Sequence, residues 1–107
     1  MNSVTQANYQ SEVLQSSIPV IIDMYTITCE PCKRLTPVIE QIAIEKSGVV
    51  KIMKMNCQDE PGIASQLSIR GVPALLMFNR GAVHSFLSGE KSKADIVRWI
   101  DEGLAGI

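Results

Sequence analysis

Thr28-Cys29-Glu30-Pro31-Cys32 is the stretch on which the reading of this 107-residue chain turns. Before it, Val20-Ile21-Ile22-Asp23-Met24-Tyr25 is apolar on both faces of an extended chain, which predicts a central strand covered on both sides. After it, Leu35, Val38, Ile39, Ile42 and Ala43 recur at helical spacing up to Ser47-Gly48, which end the helix. The two cysteines therefore fall where a strand hands over to a helix. Pro31 suits the first helical turn, where its missing N–H costs nothing. Pro37 removes a hydrogen bond inside the helix, so a kink is expected there.

Working outward, Val49 to Asn56 reads as a second strand, and the two strands joined by one helix make a βαβ unit with parallel strands. Upstream, Ser3 to Thr5 is a candidate edge strand. Tyr9, Val13 and Leu14 give a helical face over Asn8 to Ser16, with Asn8 as its cap. Downstream, Asp59-Glu60-Pro61 opens a short helix with Ile63, Ala64 and Leu67 inward. Arg70-Gly71-Val72-Pro73 breaks it, and Ala74-Leu75-Leu76-Met77-Phe78 is a third buried strand. Asn79-Arg80-Gly81 signals a hairpin with Gly81 at positive φ, Ala82 to Leu87 returns antiparallel, and Ser88-Gly89 breaks the run. Ser92 then starts a helix with Ile96, Val97, Ile100 and Leu104 inward. The expected class is α/β: a mixed sheet of four to five strands flanked by four helices, in a single domain over 1–107.

Composition narrows the chemistry. A formal net charge of −1 offers no basic field for phosphates, so nucleic acid is not an expected partner. Met1 to Gln6 is polar, without the cationic start and apolar run of a signal peptide, and no stretch is long enough to span a bilayer. A soluble, cytoplasmic protein with no membrane partner is expected. Three cysteines, Cys29, Cys32 and Cys57, do not make a disulfide scaffold; one reactive pair and one spare thiol fit a reducing compartment.

A pair separated by two residues supports two chemistries. Structural zinc takes four Cys or His ligands, commonly as two separated pairs. Beyond Cys29 and Cys32 the chain offers Cys57 and His84, which form no second pair. A cluster shared between two chains needs only one pair from each. The redox alternative needs a thiolate, and a helix N-terminus stabilises one through unpaired N–H groups and the helix dipole. On that reading Cys29, just before the helix, is the exposed nucleophile, and Cys32, a turn in, is the enclosed resolving thiol. Asp23 is the anomaly of the apolar strand. An acid buried there is protonated, partnered or functional, its plain alternative being satisfaction by a local hydrogen bond. Cys57 reads as a small buried hydrophobe, His84 as a surface residue and Trp99 as packing. The five methionines read as core filler and Asp59-Glu60 as a helix start.

A Cys-x-x-Cys beside a βαβ pattern is a signature of thioredoxin-like redox sites, and the chain resembles the thioredoxin family over nearly its whole length. Val20 to Tyr25 leading into Cys29-Glu30-Pro31-Cys32-Lys33 is similar to the family's second strand and active-site helix. Lys54-Met55-Asn56 is similar to the end of its third strand. Ile69-Arg70-Gly71-Val72-Pro73-Ala74-Leu75 resembles the segment whose proline is cis and packs on the disulfide. Gly81, Gly89 and Pro37 fall at the family's hairpin, loop and kink. The resemblance implies a thioredoxin fold and a buried carboxylate, Asp23, that handles the proton of Cys32, with Lys54 as its neighbouring cation. It also implies a substrate-binding surface of Tyr25, Gly71, Val72, cis-Pro73 and Gly89. It further implies reduction of disulfide-containing proteins by a monomer with no bound cofactor, re-reduced by NADPH through a thioredoxin reductase.

Three departures stand out: Thr28 and Tyr25 where the family has tryptophan, and Glu30 where it has glycine. Glu30 complements the helix dipole but opposes a thiolate on Cys29. A less stable dithiol predicts a more reducing pair. The reading from another class is a thioredoxin-like binding or adaptor subunit whose cysteine pair is idle.

Overall fold

Alternation along two central strands builds two cores. In β1 (Val20–Tyr25) and β3 (Ala74–Asn79) all but the last residue are buried, so successive side chains point into opposite layers. Ile21, Leu75 and Met77 pack with Leu35, Ile39 and Ile42 of α1 (Glu30–Glu45) and with Ile96 and Ile100 of α3 (Lys93–Ala105). Val20, Ile22, Met24, Leu76 and Phe78 face the other way, against Ile63 and Ala64 of α2 (Pro61–Gln66) and Val13. The computed structural model describes all residues, 1–107. Its sheet is mixed, in the order β2-β1-β3-β4, with β2 at Lys51–Asn56 and β4 at Ala82–Ser88. β1 and β2 are parallel, and β3 runs antiparallel to both β1 and β4. This is the expected α/β architecture. No helix is long and apolar enough to cross a membrane.

Several local expectations change. The segment after Asn8 forms a π-helix, Tyr9–Leu14, with Gln15 N–H bonded to the Gln10 carbonyl five residues back. The Asn8 side chain caps nothing; it ties back to Thr5 N–H and the Ser3 carbonyl. The edge strand at Ser3 to Thr5 shrinks to a single bridge between Ser3 and Lys54, leaving four strands. β2 begins at Lys51, because Val49 and Val50 N–H groups are spent on the Lys46 carbonyl as the helix ends through Gly48. Arg80 joins Gly81 at positive φ, 51° and 82°, in a two-residue hairpin between the paired Asn79 and Ala82. A register shift between Met77 and Phe78 bulges β4 around His84.

Candidate active site

Strand register brings the site residues to one end of the sheet. Met24 pairs with Ala74, so Tyr25, which ends β1, stands beside Pro73, which precedes β3. Ser88 pairs with Ala74 from the other side, and Gly89 N–H donates to the Pro73 carbonyl at 2.9 Å. Tyr25, Pro73 and Gly89 thus line up across three strands. The Val72–Pro73 bond is cis. Val72 keeps its own N–H and carbonyl free of any partner within the chain, and Gly71 is exposed.

From the same end, residues 26–28 turn the chain into α1. Cys29 is its N-cap, in extended conformation, and its sulfur accepts the N–H of Cys32 at 3.1 Å. The two are joined as a disulfide, their Cα atoms 5.2 Å apart. Their exposures differ: Cys29 is half-buried, while Cys32 is 3% exposed. Pro31 occupies the first turn, and Thr36 Oγ donates to the Cys32 carbonyl at 3.0 Å. Pro37 lies inside one continuous helix.

Asp23 shares its face of the sheet with Ile21, the face that α1 covers, and is 3% exposed. Burial pushes its carboxyl up to about 6, and Lys54, its register partner on β2, pulls the other way. Lys54 does not close to an ion pair, and the Asp23 carboxyl accepts no hydrogen bond from the chain. Satisfaction by a local hydrogen bond is therefore not what holds Asp23. It is a buried acid whose oxygens keep a contact with solvent and whose charge is offset in part by Lys54.

Sequence reading missed three side chains. Ile27 is 66% exposed and lines a pocket of about 220 Å³ with Tyr25, Thr26, Cys32, Lys33 and Thr36. Its only signal was an apolar residue in a turn. Arg34 and Glu90 form a bidentate pair with no sequence signal at a separation of 56. Glu30 is paired with Lys33 at 3.1 Å.

Of the remaining candidates, Cys57 borders the site, while His84 and Trp99 lie apart. Cys57 is half-buried against the core, its N–H on the Tyr25 carbonyl, and burial pushes its thiol up, assisted by the charge of Asp23. His84 is a surface residue whose Nε2 lies 2.9 Å from the Gly103 carbonyl, and Trp99 Nε1 donates to Ser85 Oγ at 2.7 Å. No three His, Cys, Asp or Glu side chains converge as a metal site.

Comparison with known proteins agrees with this geometry. The thioredoxin family model matches residues 1–102. The thioredoxin of Rickettsia felis is 37% identical, over 96% of this chain and 98% of its own. Thioredoxin 1 of Synechococcus elongatus is 37% identical over 95% of each, and the thioredoxin of Acidithiobacillus ferridurans 35% over 94% of each. With fold, cysteine junction and near-complete coverage in agreement, the chain belongs to the thioredoxin family, whose members are thiol–disulfide oxidoreductases acting on disulfide substrates.

Proposed function

We propose that this protein is a cytoplasmic, monomeric reductant of protein disulfides, one thioredoxin domain over 1–107, with Cys29 as the attacking thiol. The observation that carries the reading is the asymmetry of the pair: a half-buried cysteine at a helix N-terminus bonded to a fully buried one. In the reduced form, Cys29 thiolate, favoured by the helix N–H groups and dipole, attacks one sulfur of a substrate disulfide. A mixed disulfide forms and the other substrate sulfur leaves as a thiolate that takes up a proton. Cys32 then gives its proton to Asp23, a buried carboxylate with an affinity near pH 6, and attacks Cys29. The Cys29–substrate bond breaks, and the second substrate sulfur departs as a thiolate that takes up a proton from solvent, to which Asp23 gives back its own. Two electrons have passed from the pair to the substrate.

Lys54, beside Asp23, favours its ionised form and so keeps the acceptor ready. Glu30 and Pro31 shape the first turn of α1. The unpaired N–H and carbonyl of Val72 suit an extended substrate segment, which would add backbone hydrogen bonds beside Pro73. Tyr25, Gly71 and Gly89 border that shelf. The oxidised pair is restored by two electrons and one proton delivered as hydride by NADPH through a flavin-dependent thioredoxin reductase, the second proton coming from solvent, with no cofactor held by this chain.

The test is turnover of a protein disulfide driven by NADPH and thioredoxin reductase, with Cys29→Ser as control. Turnover lost in the variant supports the reading. Activity restored only by a chemical dithiol keeps the chemistry and removes the reductase as partner. Inertness under both conditions, with the double cysteine variant still binding its partners, replaces the reductant by the adaptor.

A further inference from the structure

Arg34 stands two residues past Cys32 on α1, and Glu90 stands one residue past Gly89. The Arg34 guanidinium grips the Glu90 carboxylate with both arms, Nε to Oε2 at 3.1 Å and Nη2 to Oε1 at 3.0 Å. This fork geometry fixes direction as well as distance, which a single lysine contact does not. It also holds the Glu90 carboxyl below its ordinary range, chiefly through the hydrogen bond.

The loop it grips is otherwise lightly held. Gly89, at φ +88°, is tied by its N–H to Pro73, and Ser92 caps α3 through Asp95 N–H at 3.1 Å. Glu90 and Lys91 use no backbone N–H or carbonyl within the chain. The fork is the only hydrogen-bonded link between the first two turns of α1 and this loop. It closes a circuit: Cys32 to Arg34 along the helix, across to Glu90, back to Gly89, and through Pro73 to the free backbone of Val72.

We propose that Arg34 and Glu90 are positioning residues that fix the spacing between the Cys29–Cys32 turn and the Val72–Gly89 shelf. The inference rests on reading that shelf as the substrate groove. A polypeptide disulfide must reach the Cys29 sulfur and pair with Val72 together, so ångström-scale drift between the two is felt as lost affinity. A small disulfide needs Cys29 alone.

The experiment compares kcat and KM for a disulfide-cyclised peptide and for bis(2-hydroxyethyl) disulfide, using dithiothreitol to regenerate the pair. For the peptide, Arg34→Ala and Glu90→Ala each raise KM about two- to fivefold, the range an exposed ion pair commands, with kcat held. The small disulfide moves far less, and the exchange Arg34→Glu with Glu90→Arg restores the peptide KM. An unchanged KM in the single variants, a swap that fails to restore it, or a parallel loss with the small disulfide overturns the clamp. A peptide N-methylated beside the attacked cysteine separates the two readings. If wild type takes it as readily as the unmodified peptide, the shelf fails and the clamp with it; if it discriminates but the alanine variants do not shift KM, only the clamp fails.

Discussion

Asp23 is the residue at which sequence and energetics meet most directly. Its carboxyl rises from an ordinary 3.8 to about 6 because burial disfavours the charge. The folded chain therefore binds that proton more tightly than the unfolded one. Between the two values the native state holds more protons, so stability falls as pH rises from about 3.8 to 6 and stays lowered above it. The gap corresponds to about 3 kcal/mol at 1.36 kcal/mol per pH unit. Asp23→Asn is predicted to gain up to about 3 kcal/mol at pH 7 and almost nothing below pH 4. Urea unfolding at both pH values checks this; equal gains at both would contradict it. The same variant slows resolution of the mixed disulfide, and the inflection near pH 6 in that step disappears. Glu30 acts from the opposite, exposed side. Its charge opposes a neighbouring thiolate, although Lys33 at 3.1 Å offsets part of it. A surface charge commands up to about 1 kcal/mol, and 1.4 kcal/mol is about 30 mV for this couple, so Glu30→Gly is predicted to raise the potential by roughly 10–20 mV. A glutathione redox titration that finds no rise, or a fall, removes Glu30 as a tuning residue.

Elements with strong periodicity were legible, and those decided by local hydrogen-bond competition were not. The inward positions Leu35, Ile39 and Ile42 of α1, and Ile96 and Ile100 of α3, follow from 3.6-residue spacing, and all are buried. The Ser92 cap and the Pro61 start follow from side-chain chemistry and are observed. Tyr9–Leu14 escaped because periodicity over six residues does not separate an α-turn from a π-turn. The start of β2 escaped because the Val49 and Val50 amides have rival carbonyls at the helix end. The hairpin holds a sharper contrast. Gly81 and Arg80 both sit at positive φ, yet a Cβ on Gly81 would lie 2.8 Å from the Leu14 carbonyl oxygen. Gly81→Ala is predicted to cost about 2 kcal/mol or more through backbone strain and that collision. Arg80→Asn, which suits the turn, should gain up to about 1 kcal/mol. Thermal and urea unfolding of the two variants should move in opposite directions; a neutral Gly81→Ala would show that the loop relaxes freely.

At the scale of the whole molecule, the site exists because four strands end together. Cys29 and Cys32 were legible from a motif, and Asp23 from an acid in an apolar run. Pro73, Gly89 and Lys54 entered only through likeness to a family, since nothing local assigns Pro73 a place beside Tyr25. Register does that, by setting Ala74 against Met24 and Ser88. Ile27, Arg34 and Glu90 depend on tertiary placement alone. What the assembled end achieves is an asymmetric pair: Cys29 half-buried and capping the helix, Cys32 only 3% exposed. Attack by Cys29 and resolution by Cys32 follow from that asymmetry, and trapping tests it directly. Reduced Cys32→Ser and Cys29→Ser variants are mixed with a protein disulfide, and the adducts are mapped by mass spectrometry without reductant. A stable mixed disulfide through Cys29 is expected in the first variant and none through Cys32 in the second. An adduct through Cys32, or equal trapping by both variants, would contradict it.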